Sequence, residues 1–188
     1  DYGIYHTTFK IKDDPLVSVI IPNKDHRQDL DLCIRSMITR GTYKNLEFVV
    51  IENNSTDPET FAYYEAIQQE FPQVRVVTWT REFNYSAINN FGVQAAKGQY
   101  LLFLNNDTEL IAENFVEEML GFCQREDVGA VGARLRFTRM TTIQHAGVVI
   151  ALVVWQDTPF IGLHKAENSY FPQGNVCPGF TAPLLRPA

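Results

Sequence analysis

Short apolar runs that alternate with helical patterns are the feature that most constrains this sequence. Short runs rich in β-branched and other apolar residues occupy residues 17–21, 46–51, 74–78 and 100–104. Between the first two runs, Leu30, Cys33 and Ile34 recur at the spacing of one helix face. Strands without polar alternation are typical of parallel sheets that are covered on both faces. The pattern therefore predicts an α/β fold, a three-layer sandwich with a mainly parallel central sheet.

The bounds of the helices follow from the same periodicity. Helices are predicted at residues 30–38, 56–71, 86–96 and 114–123, and a fifth strand at residues 128–131. Thr56 and Glu59 have the spacing of a capping box, so we expect the second helix to begin at Thr56. Gly98 is expected to close the third helix. After about Arg136 the regularity weakens: residues 148–154 are compatible with a strand, and prolines interrupt the rest.

Composition narrows the class of protein. A chain of 188 residues is long enough for one core and short for two. Hydrophobic residues make up 45% and charged residues 20%, which excludes a disordered chain. The net charge is -6 and no dense basic stripe is present, so we expect no nucleic-acid partner.

Cysteine spacing and apolar run lengths bear on the compartment. The three cysteines, Cys33, Cys123 and Cys177, form neither a zinc pattern nor a disulfide framework, which favours a reducing, cytoplasmic location. No apolar run approaches the roughly 20 residues of a transmembrane helix. Residues 1–9 lack the regions of a signal peptide. Peripheral association with the inner face of the cell membrane stays open.

Polar residues follow each of the predicted parallel strands. The clusters are residues 23–25, 52–55, 81–84 and 105–109. The carboxyl ends of parallel strands share one edge of the sheet, where open α/β folds bind their ligands. A ligand site is therefore predicted at this edge.

The clusters at 105–109 and 52–55 each carry an acidic residue that could bind a ligand. Asp107 is a candidate ligand for Mg²⁺ or Mn²⁺, because hard cations bind carboxylates and bridge to phosphates. A turn or a helix cap explains Asp107 about as well. Glu52 could accept hydrogen bonds from a base or a ribose, and Asn54 suits a left-handed turn, although a plain turn explains both residues.

The clusters at 23–25 and 81–84 combine amide, basic and acidic groups. Asn23 and Asp25 could approach a nucleobase, or they could simply end a strand and cap a helix. Arg81 is a candidate for a diphosphate contact or a solvated charge. Asn89 and Asn90 stand together inside a predicted helix, where asparagine is mildly unfavourable.

Several common motifs are missing. No GxGxxG follows a strand, which disfavours a nicotinamide or flavin enzyme. The absence of GxxxxGK(S/T) excludes a P-loop NTPase, and the absence of GxSxG removes the common hydrolase interpretation.

Four segments, in order, resemble the family 2 glycosyltransferases, which have the Rossmann-like GT-A fold. They are VSVIIP at 17–22, ENNSTD at 52–57, NNFGVQAAKG at 89–98 and LFLNND at 102–107. The second is similar to the family's Asp-Asn-x-Ser segment, and the last to its Asp-x-Asp metal motif. The segment TIQHAGVV at 142–149 is also similar to bacterial rhamnosyltransferase-like members that build surface polysaccharides.

This resemblance implies a nucleotide-diphosphate sugar donor (a UDP- or dTDP-sugar), Mg²⁺ or Mn²⁺, and inverting transfer to a glycan or lipid-linked acceptor. The nucleotide-binding candidates are Pro22, Asn23, Asp25, Glu52, Asn54, Arg81, Asn90 and Asn106. The metal candidates are Asp107 and Glu109. His145 is a candidate substrate-site residue.

Two departures from the family pattern matter. Asn105 replaces the first acid of the metal motif, which predicts weak metal binding before the diphosphate arrives. The family's catalytic base lies in an acidic motif beyond the region similar to residues 176–186, whereas no acidic residue follows Glu167. The catalytic base is therefore unassigned, and we expect a C-terminally truncated domain that holds the donor half.

The expected organisation has three parts. Residues 1–16 are a lead-in, residues 17–136 a nucleotide-sugar-binding core, and residues 137–188 the incomplete start of an acceptor-side region. The expected function is sugar transfer; the alternative is a non-catalytic nucleotide-sugar-binding module or an inactive donor half. A nucleotidyltransferase is disfavoured because no glycine-rich loop follows the first strand. A purely structural domain would leave four polar clusters without a role.

Overall fold

The computed structural model describes residues 6–133, 135–137, 142–145, 149–150, 156–157 and 183–185. In chain order its elements are β1 Val17–Asn23, α1 Arg27–Arg40, β2 Leu46–Asn53, α2 Pro58–Glu70, β3 Val74–Trp79, α3 Tyr85–Ala95, β4 Tyr100–Phe103, α4 Phe115–Cys123, β5 Ala130–Gly132, β6 Leu135–Arg136, β7 Ile143–His145, β8 Val149–Ile150, β9 Gln156–Asp157 and β10 Pro183–Leu185. The predicted alternation of strands and helices is confirmed through α4.

One six-stranded sheet forms the centre of the fold, with the strand order β3-β2-β1-β4-β10-β5. The first four strands in that order are parallel to one another, and β10 is antiparallel to both β4 and β5. The expected α/β fold with a mainly parallel sheet is therefore confirmed. The sequence pattern does not predict strand β10, because Pro183 indicates a break in regular structure. Proline is tolerated here because it is the first residue of the strand.

Both faces of the sheet are covered, as the predominantly apolar strands require. Val19 and Ile21 of β1 face a core that includes residues of α1, α2 and α4. Ile20, between them, faces a second core with Ile88 of α3. All three β1 side chains are fully buried. Successive strand residues point to opposite faces of the sheet. Because helices cover both faces, these three side chains are apolar on either side of the sheet.

The helix ends differ from the sequence expectations in two places. Asp57 rather than Thr56 is the N-cap of α2, because the Asp57 carboxylate accepts a hydrogen bond from the Glu59 amide. The third helix ends at Ala95, so Gly98 lies beyond its cap. Of the possible strand at 148–154, the described part is β8, and residues 151–155 lie outside the described residues. No described helix has both the length and the apolar character to cross a bilayer.

Candidate functional site

The carboxyl ends of β1 and β2 place two buried polar residues side by side. The register of these strands pairs Asn23 with Glu52. Asn23 is 2% exposed and Glu52 is 4% exposed. Burying such groups costs free energy unless they find hydrogen-bond partners. Their partners therefore show how this edge of the sheet is organised.

Asn23 joins three elements through its side-chain amide. Its Nδ2 donates to the Tyr64 hydroxyl of α2 at 2.7 Å. Its Oδ1 accepts from Nδ2 of Asn106, in the loop after β4, also at 2.7 Å. The structure thus brings together two predicted site residues, Asn23 and Asn106. Tyr64 was missed because a tyrosine at helical spacing looks like an ordinary core residue.

Glu52 holds a carboxylate at the centre of this edge. Its Oε1 accepts a hydrogen bond from the Ser55 amide at 2.5 Å, which closes the turn after β2. Burial is the main cause that raises the pKa of the Tyr64 phenol. The nearby charge of Glu52 contributes to the same shift. A buried carboxylate with further acceptor capacity suits the N–H groups of a nucleobase. Binding of a base by Glu52 stays a prediction.

Asp25 holds the loop that follows β2. Its Oδ1 accepts from the amides of Thr56 and Asp57 at 2.7 and 2.9 Å. Its own amide donates to Ser55 Oγ at 3.0 Å, and its φ of 60° is in the left-handed region. The amide of Asp57 is the main cause that lowers the pKa of Asp25. The structure gives Asp25 this loop-holding role, and its predicted nucleoside contact stays a prediction.

Asp25→Asn is expected to lower stability at pH 7, because asparagine tolerates a positive φ but lacks the charge that the two amides favour. The folded-state pKa is below the ordinary 3.8, so the charged form contributes stability above that value. This contribution is lost as the pH falls through the lowered pKa.

Thermal unfolding at pH 7 and at pH 3 measures this effect. The gap between wild type and Asp25→Asn should narrow at the lower pH. Glu126→Gln, at an exposed carboxylate after α4, serves as the control. A gap that does not depend on pH would contradict a role for the charge.

Asn54 joins the loops after β2 and β3. Its φ of 54° confirms the left-handed turn expected for this residue. Its Nδ2 donates to the Arg81 carbonyl oxygen at 3.0 Å. The Arg81 guanidinium lies over the Trp79 ring, 5.6 Å from its centroid. This cation–π contact orients an exposed positive charge at the edge of the sheet.

A groove of about 430 Å³ lies between β3 and α3. Arg81 and Asn90 both line it, so the structure brings these two predicted nucleotide residues together. The other lining residues are Thr78, Trp79, Thr80, Ala87, Phe91 and Gln94. Asn23, Glu52 and Asn106 do not line this groove, so the predicted residues fall into two groups.

The neighbouring asparagines of α3 have different roles. Asn84 is the N-cap, and its Oδ1 accepts from the Ala87 amide at 2.9 Å. Asn90 is exposed, whereas Asn89 is 6% exposed and donates from Nδ2 to the Tyr85 carbonyl oxygen. The Asn89 Oδ1 is buried and has no hydrogen-bond partner among the described residues. Asn89 is thus the inward-facing amide of the pair, and sequence reasoning did not assign it to the site.

The loop after β4 carries the predicted metal ligands. Asp107 is exposed, and no hydrogen bond or ion pair of its carboxylate occurs within the described part of the chain. Glu109 instead forms an ion pair with Arg40 of α1 at 2.6 Å. The loop is attached to α1 by the Leu110 amide, which donates to Ser36 Oγ at 3.1 Å. Asp107 therefore remains available to a ligand, while Glu109 is already paired.

The chemistry of this loop suits a hard cation that a ligand helps to hold. Among the described residues, no group of three or more His, Cys, Asp or Glu side chains could hold a metal ion. One free carboxylate supplies one oxygen ligand, and divalent cations such as Mg²⁺ commonly take others from water and substrate phosphates. Asp107 therefore fits a metal bound together with a diphosphate, rather than a metal site that is complete without substrate.

The remaining candidate, His145, is the last residue of β7. Its backbone pairs with Leu135 of β6. Its side chain lies outside what the structure describes, so the proposed substrate role stays a prediction.

A mainly parallel sheet covered on both faces, with polar strand ends at one edge, is the architecture of the α/β proteins that bind ligands at the strand ends. The sequence model of glycosyl transferase family 2 matches residues 18–186. The chain therefore belongs to glycosyltransferase family 2.

Individual relatives agree with this assignment. The chain is 40% identical over 165 residues to the O-antigen biosynthesis protein RfbC of Myxococcus xanthus, which is 88% of this chain and 13% of that protein. It is 30% identical over 102 residues to the UDP-Glc:alpha-D-GlcNAc-diphosphoundecaprenol beta-1,3-glucosyltransferase WfgD of Escherichia coli, which is 53% of this chain and 38% of WfgD. The chain thus spans only a part of these relatives.

A solved structure supports the fold. The mannosyltransferase PcManGT from Pyrobaculum calidifontis, in complex with GDP-Man and Mn²⁺, superimposes with a TM-score of 0.59. The match covers 65% of this chain and 36% of PcManGT at 22% identity.

Proposed function

We propose that this chain is the donor-binding part of a glycosyltransferase that moves a sugar from a nucleotide-diphosphate donor to a glycan or lipid-linked acceptor. One observation carries the proposal. Asn23, beside the buried carboxylate of Glu52, is hydrogen-bonded to Asn106, the neighbour of the exposed Asp107. A nucleoside bound at Asn23 and Glu52 would direct its diphosphate toward Asn106 and Asp107.

The roles within this site follow from charge. Glu52 and Asn23 offer acceptors and donors to the base and ribose. A divalent ion on Asp107 would offer positive charge to the diphosphate. Arg81 lines the separate groove between β3 and α3, so its diphosphate contact stays a prediction. Mg²⁺ or Mn²⁺ would supply electrostatic stabilisation of the leaving nucleoside diphosphate. PcManGT, which shares the fold, was solved with GDP-Man and Mn²⁺, and this supports the choice of ligands.

The proposed reaction is a single displacement. An acceptor hydroxyl oxygen attacks the anomeric carbon and forms the new glycosidic bond. The bond from that carbon to the diphosphate oxygen breaks on the opposite face, so the configuration inverts. The hydroxyl proton passes to a general base, which the described residues do not identify.

The acceptor class and the location are inferred from the relatives. RfbC is named for O-antigen biosynthesis, and the name of WfgD includes a sugar linked through diphosphate to undecaprenol. A glycan on a lipid carrier is therefore the acceptor we propose. Such a carrier would place the protein in the cytoplasm, at the inner face of the cell membrane.

Calorimetric titration with UDP, dTDP and GDP, each with and without Mn²⁺, tests the proposal. We expect one of the three to bind, and Mn²⁺ to raise its affinity by about a hundredfold, since the ion joins the diphosphate to Asp107. The matched control is the corresponding nucleoside monophosphate, for which the gain from Mn²⁺ should be much smaller. A folded chain that binds none of the three would refute the proposal.

A further inference from the structure

The hydrogen bonds around Asn23 connect α2 to the loop after β4. Tyr64 of α2 contacts Asn23, and Asn23 contacts Asn106, each at 2.7 Å. Asn106 directly precedes Asp107, the proposed metal ligand. A side chain on α2 is therefore two hydrogen bonds away from the loop that carries Asp107.

We propose that Tyr64 is a positioning residue: its hydroxyl orients the Asn23 amide, and that amide holds Asn106 and the loop that carries Asp107. This inference rests on the proposed function, because it assigns Tyr64 to the donor site. It adds a residue that neither the motifs nor the family resemblance marks.

Burial makes the orientation of Asn23 depend on Tyr64. Asn23 is 2% exposed and Tyr64 is 4% exposed, so water has little access to replace a lost bond. With the hydroxyl present, Asn23 Nδ2 has an acceptor, and Oδ1 is left to face Asn106 Nδ2. Without it, the amide either loses a partner or rotates, and rotation would turn its Nδ2 toward the Nδ2 of Asn106.

The other attachments of the loop explain why this one bond matters. The Leu110 amide donates to Ser36 Oγ of α1, and the Cys33 thiol of α1 contacts the Asn105 carbonyl oxygen at 3.7 Å. Both contacts lead to α1, away from the strand ends that would hold the nucleoside. Within the described residues, Asn106 supplies the side-chain hydrogen bond that joins residues 105–109 to β1.

Tyr64→Phe tests the role of the hydroxyl, and Tyr63→Phe is the matched control. Both changes remove one phenolic oxygen from α2, but Tyr63 lies in the groove with Asp31 and Arg35 of α1. UDP, dTDP and GDP are each titrated with and without Mn²⁺. We expect Tyr64→Phe to reduce the gain in affinity that Mn²⁺ produces by about tenfold, or about 1.4 kcal/mol. Affinity without Mn²⁺ should change much less, and Tyr63→Phe should match the wild type.

A double-mutant cycle separates positioning from general destabilisation. If Tyr64 acts through Asn106, Tyr64→Phe should cost nothing further in a chain that already carries Asn106→Ala. Additive losses would overturn the proposal. So would a Tyr64→Phe chain that keeps the full gain from Mn²⁺.

Hydrogen exchange tests the connection without any nucleotide. The Thr108 amide, bonded to the Asn105 carbonyl oxygen within the loop, should exchange several times faster in Tyr64→Phe, whereas the Leu110 amide on Ser36 should not change. If the wild type binds no nucleotide, the proposed function fails, and faster Thr108 exchange would still support the connection itself. Unchanged exchange at Thr108 would overturn the connection, whatever the nucleotide result.

Discussion

Asp107→Ala is expected to remove the Mn²⁺-dependent part of nucleoside-diphosphate affinity, a loss of about a hundredfold or about 2.7 kcal/mol. Within residues 105–109, Asp107 carries the free carboxylate, because Glu109 is paired with Arg40 and position 105 is an asparagine. A cation that is bound jointly by the protein and the diphosphate would lose its main protein ligand. Calorimetric titration of UDP, dTDP and GDP with Mn²⁺ measures this loss.

The controls for Asp107→Ala separate the metal from charge and folding. Glu126→Ala removes the same charge at an exposed position after α4 and should leave binding unchanged. Asp107 is itself exposed, so its removal should change the free energy of unfolding by less than about 0.5 kcal/mol. Full Mn²⁺-dependent binding by a folded Asp107→Ala chain would show that the metal assignment is wrong.

Gly98→Ala is expected to lower the free energy of unfolding by about 3 kcal/mol, through overpacking against backbone. A Cβ at position 98 would lie 2.6 Å from the Ser18 amide nitrogen and 2.7 Å from the Leu16 carbonyl oxygen. The Gly98 amide also donates to Ser18 Oγ at 2.7 Å, so the two segments cannot separate without losing that bond. Urea denaturation followed by circular dichroism measures the change.

Gly129→Ala is the matched control for this close approach. A Cβ at Gly129 would meet nothing within 4 Å, and the residue is exposed. The control should therefore stay within about 0.5 kcal/mol of the wild type. A loss below about 1 kcal/mol in Gly98→Ala would mean that the start of β1 moves aside at little cost.

Much of the fold could be predicted because its signals are local. The apolar run at 17–21 reappears within β1, and the run at 46–51 within β2. Gly98 shows where such reasoning stops. The sequence places a glycine after a helix, which suggests a cap, whereas the structure uses it where the chain passes close to Ser18. That approach depends on how β4 pairs with β1, which is not a local property.

The site shows the same division. Asn23, Glu52 and Asp107 could be selected because polar residues after buried strands must meet at one edge of a parallel sheet. The separate roles of Asp25 and Glu109 could not be predicted. Both carboxylates find partners within the protein, Asp25 in the loop after β2 and Glu109 in Arg40.

The sequence alone determined the fold class, the layer order and the edge of the sheet where the polar residues gather, because hydrophobic periodicity and strand direction are local properties. Only the tertiary structure decided which polar groups are paired and which are free. Asn23 selects Tyr64 and Asn106 across 41 and 83 residues of chain. The insertion of β10 between β4 and β5 was likewise decided by packing. Contacts at such separations depend on how the buried elements fit together, and residue type does not encode that fit one position at a time.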